Sequence, residues 1–296
     1  MAVPTDLQLR RMTPDDIDAG LALCRASRWN QTARDWRQFL DLDTKGALVA
    51  CRDGRVVGSV ATVRYAPGTA WVAMVLVAPE ERGRGIGTSL LHEGLALVGD
   101  VPVVGLDATP LGRPLYLGLG FRDAWPLQRM QRGVGVAAGA GAADSAAAGD
   151  GVRPLREDDW PAVLAIDSAV TGLERGAMLR WLAEGAPAYA WVQEGATTGE
   201  VTGFALGRSG HTFEHVGPVV ADDRAAAGRL VDAVLRRVPR DRPAVIDAAV
   251  PPEGWGDWLE SRGFEHQRPF TRMYLGEVPA AGWPPGLFAI IGPEFG

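Results

Sequence analysis

The spacing of apolar residues divides the first 130 positions into helical and strand segments. Ile17, Leu21 and Cys24 recur at helical spacing behind Thr13-Pro14-Asp15-Asp16, a helix start with a capping hydroxyl, a proline at the first helical position and an acid three residues after the cap. A second helix is expected from about Thr32, burying Trp36, Phe39 and Leu40. The runs "ALVACR", "VVGSVATVRY" and "WVAMVLV" then have the length and apolarity of strands, and "RDG" between the first two is a hairpin turn signal. From Gly85 the helical period returns, with Ile86, Leu90, Leu91, Leu95 and Val98 inward. The strand "VPVVGLDA" and a short helix through "LYLGLGF" follow, so the expected order is helix, helix, three strands, helix, strand, helix.

The pattern then repeats. Gly120-Phe121 recurs as Gly263-Phe264, Pro126 as Pro269 and Arg129-Met130 as Arg272-Met273, all 143 residues apart, and Asp15-Asp16 falls on Asp158-Asp159 at that offset. Internal repetition of a whole domain is the economical explanation. Between the copies, residues 133–150 are almost wholly glycine, alanine and valine, the composition of a flexible linker. The expected division is therefore 1–132, a linker at 133–150, a second domain at 151–275 and a tail at 276–296. That tail, "GWPPGLFAIIGPEFG" at its core, is too apolar to be free and should dock along a domain surface.

Composition narrows the function. A chain of 296 residues, 47% of them hydrophobic, can fill two ordinary cores. A net charge of −6 argues against a dedicated nucleic-acid binder and for a soluble enzyme or small-ligand binder. Lys45 is the sole lysine, an arginine skew that carries no mechanism. Cys24 and Cys51 have no metal-ligand spacing and read as buried thiols in a reducing compartment, so no metal is expected. With no signal-type segment and no run of about 18 apolar residues, the expectation is a cytoplasmic protein without membrane contact.

The chemistry starts at "RGRGIG", Arg82 to Gly87. A Walker A loop needs a lysine where Gly87 precedes Thr88, and the glycines run G-x-G-x-G rather than in the dinucleotide-binding spacing, although Asp107 ends a strand 20 residues later. What fits is R-x-x-G-x-G/A, met by Arg82, Gly85 and Gly87 between a strand and a helix. There glycines allow close approach, and free helix N-terminal amides attract an anion such as a pyrophosphate.

"VLVAPEERGRGIGTSLL" with "PLYLGLGF" resembles the GNAT acetyltransferases, and "RWNQTARDWRQFL", "LDATPLGRPLY", "RPFTRM" and "AIIGPEFG" resemble its tandem-GNAT subgroup of the YitH/HolE type. The resemblance covers nearly the whole chain. It implies an α/β (α+β) mixed-sheet class: two tandem GNAT folds, each a mostly antiparallel sheet splayed at a bulged fourth strand, here Trp71 to Val77, with flanking helices. It also implies acetyl-CoA as donor, with its pantetheine on Val75, Leu76 and Val77. Its pyrophosphate would rest on the amides of Arg82, Gly83, Arg84, Gly85, Ile86, Gly87 and Thr88.

Acetyl transfer needs a neutral amine, a stabilised oxyanion and a proton for the thiolate. Tyr116 matches the tyrosine that many family members place near the sulfur as acid, and Asp107, at a strand end beside the splay, is the candidate base. Trp29 and Asn30 are candidate acceptor contacts. In the second copy Arg82 becomes Ala225, Gly87 becomes Leu230 and Tyr116 becomes Leu259, so that half should neither bind CoA in the usual way nor catalyse. It is expected instead to close over the acceptor cleft, with Glu174, Arg175, Glu214 and His215 as polar candidates, and its removal to spare donor binding. The expected protein is thus an N-acetyltransferase for a small primary amine, monomeric or homodimeric. The alternative is a non-catalytic acyl-CoA-sensing or protein-binding module.

Overall fold

The structure, a computed structural model, describes residues 7–136, 151–195, 197–249, 253–277 and 283–296. Most of the expected linker, 137–150, lies outside them, as does 278–282 of the tail.

The first half opens with β1 (Gln8–Arg11), α1 (Ile17–Ala26) and α2 (Ala33–Leu42). Asp16 accepts from the Thr13 amide at 2.9 Å and from both ends of the Arg10 guanidinium at 2.7 Å, closing the expected helix start. Thr32 and Asp35 cap α2 in the same reciprocal way. The strands β2 (Ala47–Arg52), β3 (Arg55–Tyr65) and β4 (Thr69–Val77) follow as an antiparallel meander. Asp53 and Gly54, both at positive φ, make the first turn. Then come α3 (Ile86–Leu97), β5 (Val103–Ala108), α4 (Arg113–Gly118) and β6 (Arg122–Arg132). The short edge strand β1 and the long β6 are the elements the apolar pattern did not announce.

The second half repeats this order as β7 (Val152–Pro154), α5 (Trp160–Thr171), α6 (Gly176–Gly185), β8 (Trp191–Glu194), β9 (Val201–Ser209), β10 (Glu214–Val220), α7 (Arg224–Leu235), β11 (Ala244–Ala249), α8 (Trp255–Ser261) and β12 (Phe264–Gly276). The tail adds β13 (Leu287–Ala289).

These strands form one 13-stranded sheet in the order β1-β2-β3-β4-β5-β12-β6-β11-β13-β10-β9-β8-β7. The last long strands of the two halves are exchanged: β5 pairs with β12, β11 pairs with β6, and β6 and β12 run antiparallel between them. Each exchanged strand carries a buried arginine into the other half. Arg272 forks onto Asp107 at 2.8 Å through both oxygens, and Arg129 forks onto Asp247 at 2.7 Å. Removing 151–296 would strip β12 from β5 and take from Asp107 its Arg272 partner, beside the strand that borders the gap, so the expectation that donor binding survives that deletion does not fit this topology.

One face of the sheet is covered by α1, α2, α5 and α6 over a single core that joins both halves, from Trp36 and Phe39 to Trp160 and Leu182. On the other face, α3 and α4 cover a core around Leu90 and Phe121, and α7 and α8 one around Leu230 and Trp255.

Candidate active site

Parallel pairing of β4 with β5 stops at Trp71 and Gly105. Beyond that point the strands part around a cavity of about 960 Å³. A bulge marks the parting: the register against β3 shifts between Ser59 and Ala61, Met74 adopts φ 53°, and its carbonyl accepts from Ser59 Oγ at 2.8 Å. Val75, Leu76 and Val77 therefore line the cavity along an edge of β4 that no strand covers.

At one end of the cavity lie Arg82, Gly83, Gly85, Ile86, Gly87 and Thr88. Gly83 and Gly85 hold φ of 75° and 80°, a left-handed region that a side chain would strain. Gly85 caps α3 without any side-chain hydrogen bond, so the first-turn amides and the positive end of the helix dipole are left open. A Cβ on Gly87 would meet Val77 at an ordinary 3.6 Å, so packing does not demand glycine there. Arg84 does not line the cavity; it is exposed and lies 3.5 Å from Glu81, whose buried carboxylate also binds Arg52.

Tyr116 lines the opposite wall with Asp107, Thr109, Leu111 and Leu115. Its ring packs edge-on against Phe121 at 6.0 Å, and its hydroxyl has no hydrogen-bond partner among the described residues. Burial pushes its pKa up to about 12, so it keeps its proton at neutral pH. Asp107 is placed differently from a base. Its side chain is 0% exposed and both oxygens are held by Arg272. Burial pushes its carboxyl up and Arg272 pulls it back, but the group presents only backbone to the cavity.

Trp29 and Asn30, the expected acceptor contacts, line the cavity with Gln31, yet the Asn30 amide is already committed. Its Oδ1 accepts from the Thr212 and Phe213 amides at 2.7 and 3.1 Å, and its Nδ2 donates to the Phe213 carbonyl at 3.0 Å. Asn30 thus fastens the halves together. The second half does reach the cavity, but through Arg268, Phe270, Pro293 and Glu294 rather than the four expected residues. Glu174 is exposed and pairs only its backbone with Ala66. Arg175 is buried on Asp167 at 2.9 Å and donates to the Gly296 carbonyl at 2.6 Å. Glu214 takes Tyr189 and Arg242, and His215 takes Asp247 at 2.9 Å, with burial pushing its pKa down. Arg175, Glu214 and His215 are buried struts, and none of the four lines the cavity. Arg268 had one sequence signal, since its repeat partner is Trp125; Glu294 had one too, as the one acid in the apolar stretch 282–296.

The matching site in the second half is filled from within. Its helix α7 begins earlier, capped by Asp223, whose carboxylate accepts from the Ala226 amide at 2.7 Å where an incoming anion would bind. Leu230 and Leu259 are fully buried. Where β10 and β11 part after Val216 and Ile246, β13 occupies the gap and pairs with both. Phe288 packs against Trp255 at 5.1 Å, and the Trp255 indole donates to the Phe288 carbonyl at 3.0 Å. The tail therefore does not lie on a surface. It threads the second splay and continues to the first half, where Trp71 donates to the Pro293 carbonyl and Tyr65 to that of Phe295, both at 2.9 Å.

Among the described residues no group of three or more His, Cys, Asp or Glu is placed to hold a metal ion, and no helix is long and apolar enough to cross a membrane.

Comparison with known proteins finds one family match in each half of the chain. The Acetyltransferase (GNAT) family model matches residues 19–108, and the Acetyltransferase (GNAT) domain model matches 163–283. The chain is 28% identical over 256 residues to a holothin acyltransferase of Pseudoalteromonas sp. (strain SANK 73390), covering 86% of this chain and 83% of that protein. It is 30% identical over 241 residues to a mycothiol acetyltransferase of Nocardia farcinica (strain IFM 10152), covering 77% and 73%. A putative acetyltransferase from Pyrococcus horikoshii shares the fold with a TM-score of 0.81 at 20% identity, over 100% of this chain and 98% of that one.

Proposed function

Because this chain belongs to the GNAT family of acetyltransferases, we propose that it moves an acetyl group from acetyl-CoA directly to the primary amine of a small molecule, and that the first half alone does so. One observation carries the assignment to that half: the two halves part their strands alike, and only the first leaves the gap and the helix N-terminus open.

The cradle fits a CoA thioester. When bound, the donor supplies an activated acetyl group and a thiolate leaving group. The uncovered edge of β4 at Val75 and Val77 holds the pantetheine amides by strand-like hydrogen bonds. The α3 amides and the glycines at 83 and 85 hold the diphosphate, with Arg82 beside them. The bulge at Met74 turns backbone toward the gap, where an N–H offsets charge developing on the acetyl oxygen. Tyr116, protonated and without another partner, donates to the departing sulfur, and the proton that the attacking amine loses restores the Tyr116 hydroxyl, so one proton leaves nitrogen and one reaches sulfur.

The test combines stoichiometry with turnover. Calorimetric titration with acetyl-CoA should give one site, lost in Gly85→Val. Thiol release in the presence of amines should fall by about 10²–10⁴-fold in Tyr116→Phe with donor affinity unchanged. Two donor sites, none, or full turnover in Tyr116→Phe would overturn the proposal.

A further inference from the structure

The charges at the acceptor end do not balance pairwise. Arg129 is matched by Asp247 and Arg272 by Asp107, each bidentately. Arg208, from β9, serves two carboxylates at once: Asp35 at 2.6 Å and Glu294. Glu294 also accepts from Gln31 Nε2 at 3.0 Å, and both side-chain bonds fall on Oε1, leaving Oε2 without one. Arg268 has the opposite excess. It lines the same cavity and lies over the Phe270 ring at 4.9 Å. It has no carboxylate or hydrogen-bond partner among the described residues, and its Nε is buried without one.

Its place is built rather than accidental. The register of β12 against β6 slips between His266 and Arg268, so a bulge re-aims the strand just before the arginine. Burial, and then the neighbouring Arg129, lower its pKa to about 10, the mark of a cation without its counter-ion. The other carboxylates at the cavity are spoken for, Asp107 by Arg272 and Glu81 by Arg52.

A cavity that keeps a half-buried guanidinium and a buried carboxylate apart pays desolvation on both without recovering it from their mutual contact. A ligand bearing both signs recovers it. We infer that the acceptor is a zwitterion of the amino-acid type, its carboxylate taken by Arg268 and an amino group held near Glu294. A single free guanidinium presents one planar fork, which matches a carboxylate; a phosphate would call for the second cation that Arg129 cannot supply while it holds Asp247.

This rests on the transferase reading, but binding tests it separately. The full-length protein is saturated with CoA, which carries no acetyl group, and titrated with the common L-amino acids, each as free acid and as its carboxamide. At least one free acid should bind tenfold or more tightly than its amide. Arg268→Gln should reduce that ratio to below twofold with CoA affinity unchanged, and Arg268→Lys should restore part of it. Equal binding of acid and amide, binding of neither, or a preference that survives Arg268→Gln would overturn the inference. If Arg268→Gln does not fold, loss of the bidentate fork in Arg268→Lys must still lower the ratio. Thiol release with neutral amines, followed in parallel, reports on the transferase reading alone.

Discussion

Asp107→Asn distinguishes a base from a strut. If the carboxylate only anchors Arg272, asparagine leaves a guanidinium that is buried to all but a few per cent with no counter-charge, and the two 2.8 Å bonds become at best one neutral one. Breaking a buried pair from one side costs about 3–5 kcal/mol. For a protein of this size each kcal/mol moves Tm by about 2–4 °C, so the variant should melt roughly 6–20 °C lower. The faces of Trp71 and Trp125, 4.6 and 5.7 Å from the Arg272 guanidinium, soften the loss and favour the lower end. Replacing both partners, Asp107→Leu with Arg272→Met, should recover much of the stability. The assay is scanning calorimetry beside thiol release measured well below the lower Tm. Turnover per folded molecule should stay within a few-fold of the parent in the double variant. A melting point unchanged in Asp107→Asn together with a hundredfold loss of turnover would refute the strut and return Asp107 to the chemistry.

Acid should weaken the two helix starts together. The Arg10 guanidinium, then the Thr13 amide, hold the Asp16 carboxyl down at about 2, and Arg153 lowers Asp159 in the same way. A folded-state pKa below the unfolded one stabilises above about pH 4 and is lost as pH falls through 4 toward 2; melts from pH 7 to 2 should be flatter with pH in Asp16→Asn combined with Asp159→Asn, and an identical slope would count against this. Phe288→Ala should cost about 3–5 kcal/mol, since the ring is buried against Trp255. Even so it should leave acetyl-CoA binding at one site, because Asp223 still caps α7; a second site in calorimetry would show that the tail alone had closed that half.

Much of this could be read from the chain. The capped helices, the meander, the glycine cradle and its decay in the second copy follow local rules, because hydroxyl, proline, glycine and apolar spacing act over a few residues. The strand exchange does not. In β6 and β12 positions that alternation reserves for apolar residues are held by Arg129 and Arg272, so the strand signal breaks where it matters. The countercharges that make those arginines tolerable lie 118 and 165 residues away. Asp107 looked like a base for the same reason, its partner being invisible along the sequence. Glu214, His215 and Arg175 are polar but not free: each is buried on partners within the second half, Glu214 on Tyr189 and Arg242, His215 on Asp247, and Arg175 on Asp167 and the Gly296 carbonyl, most of them distant along the chain.

The exchanged strands also set a timetable for biosynthesis. Asp107 leaves the ribosome 165 residues ahead of Arg272. At about 5–20 residues per second, β5 waits on the order of 10–30 s with an open edge, one strand away from the gap that is to hold the donor. The enzyme's own second copy is thus the last piece its first copy needs. A chain stalled between the two is a half-sheet exposed to any passing strand, and chaperone demand should concentrate in that interval.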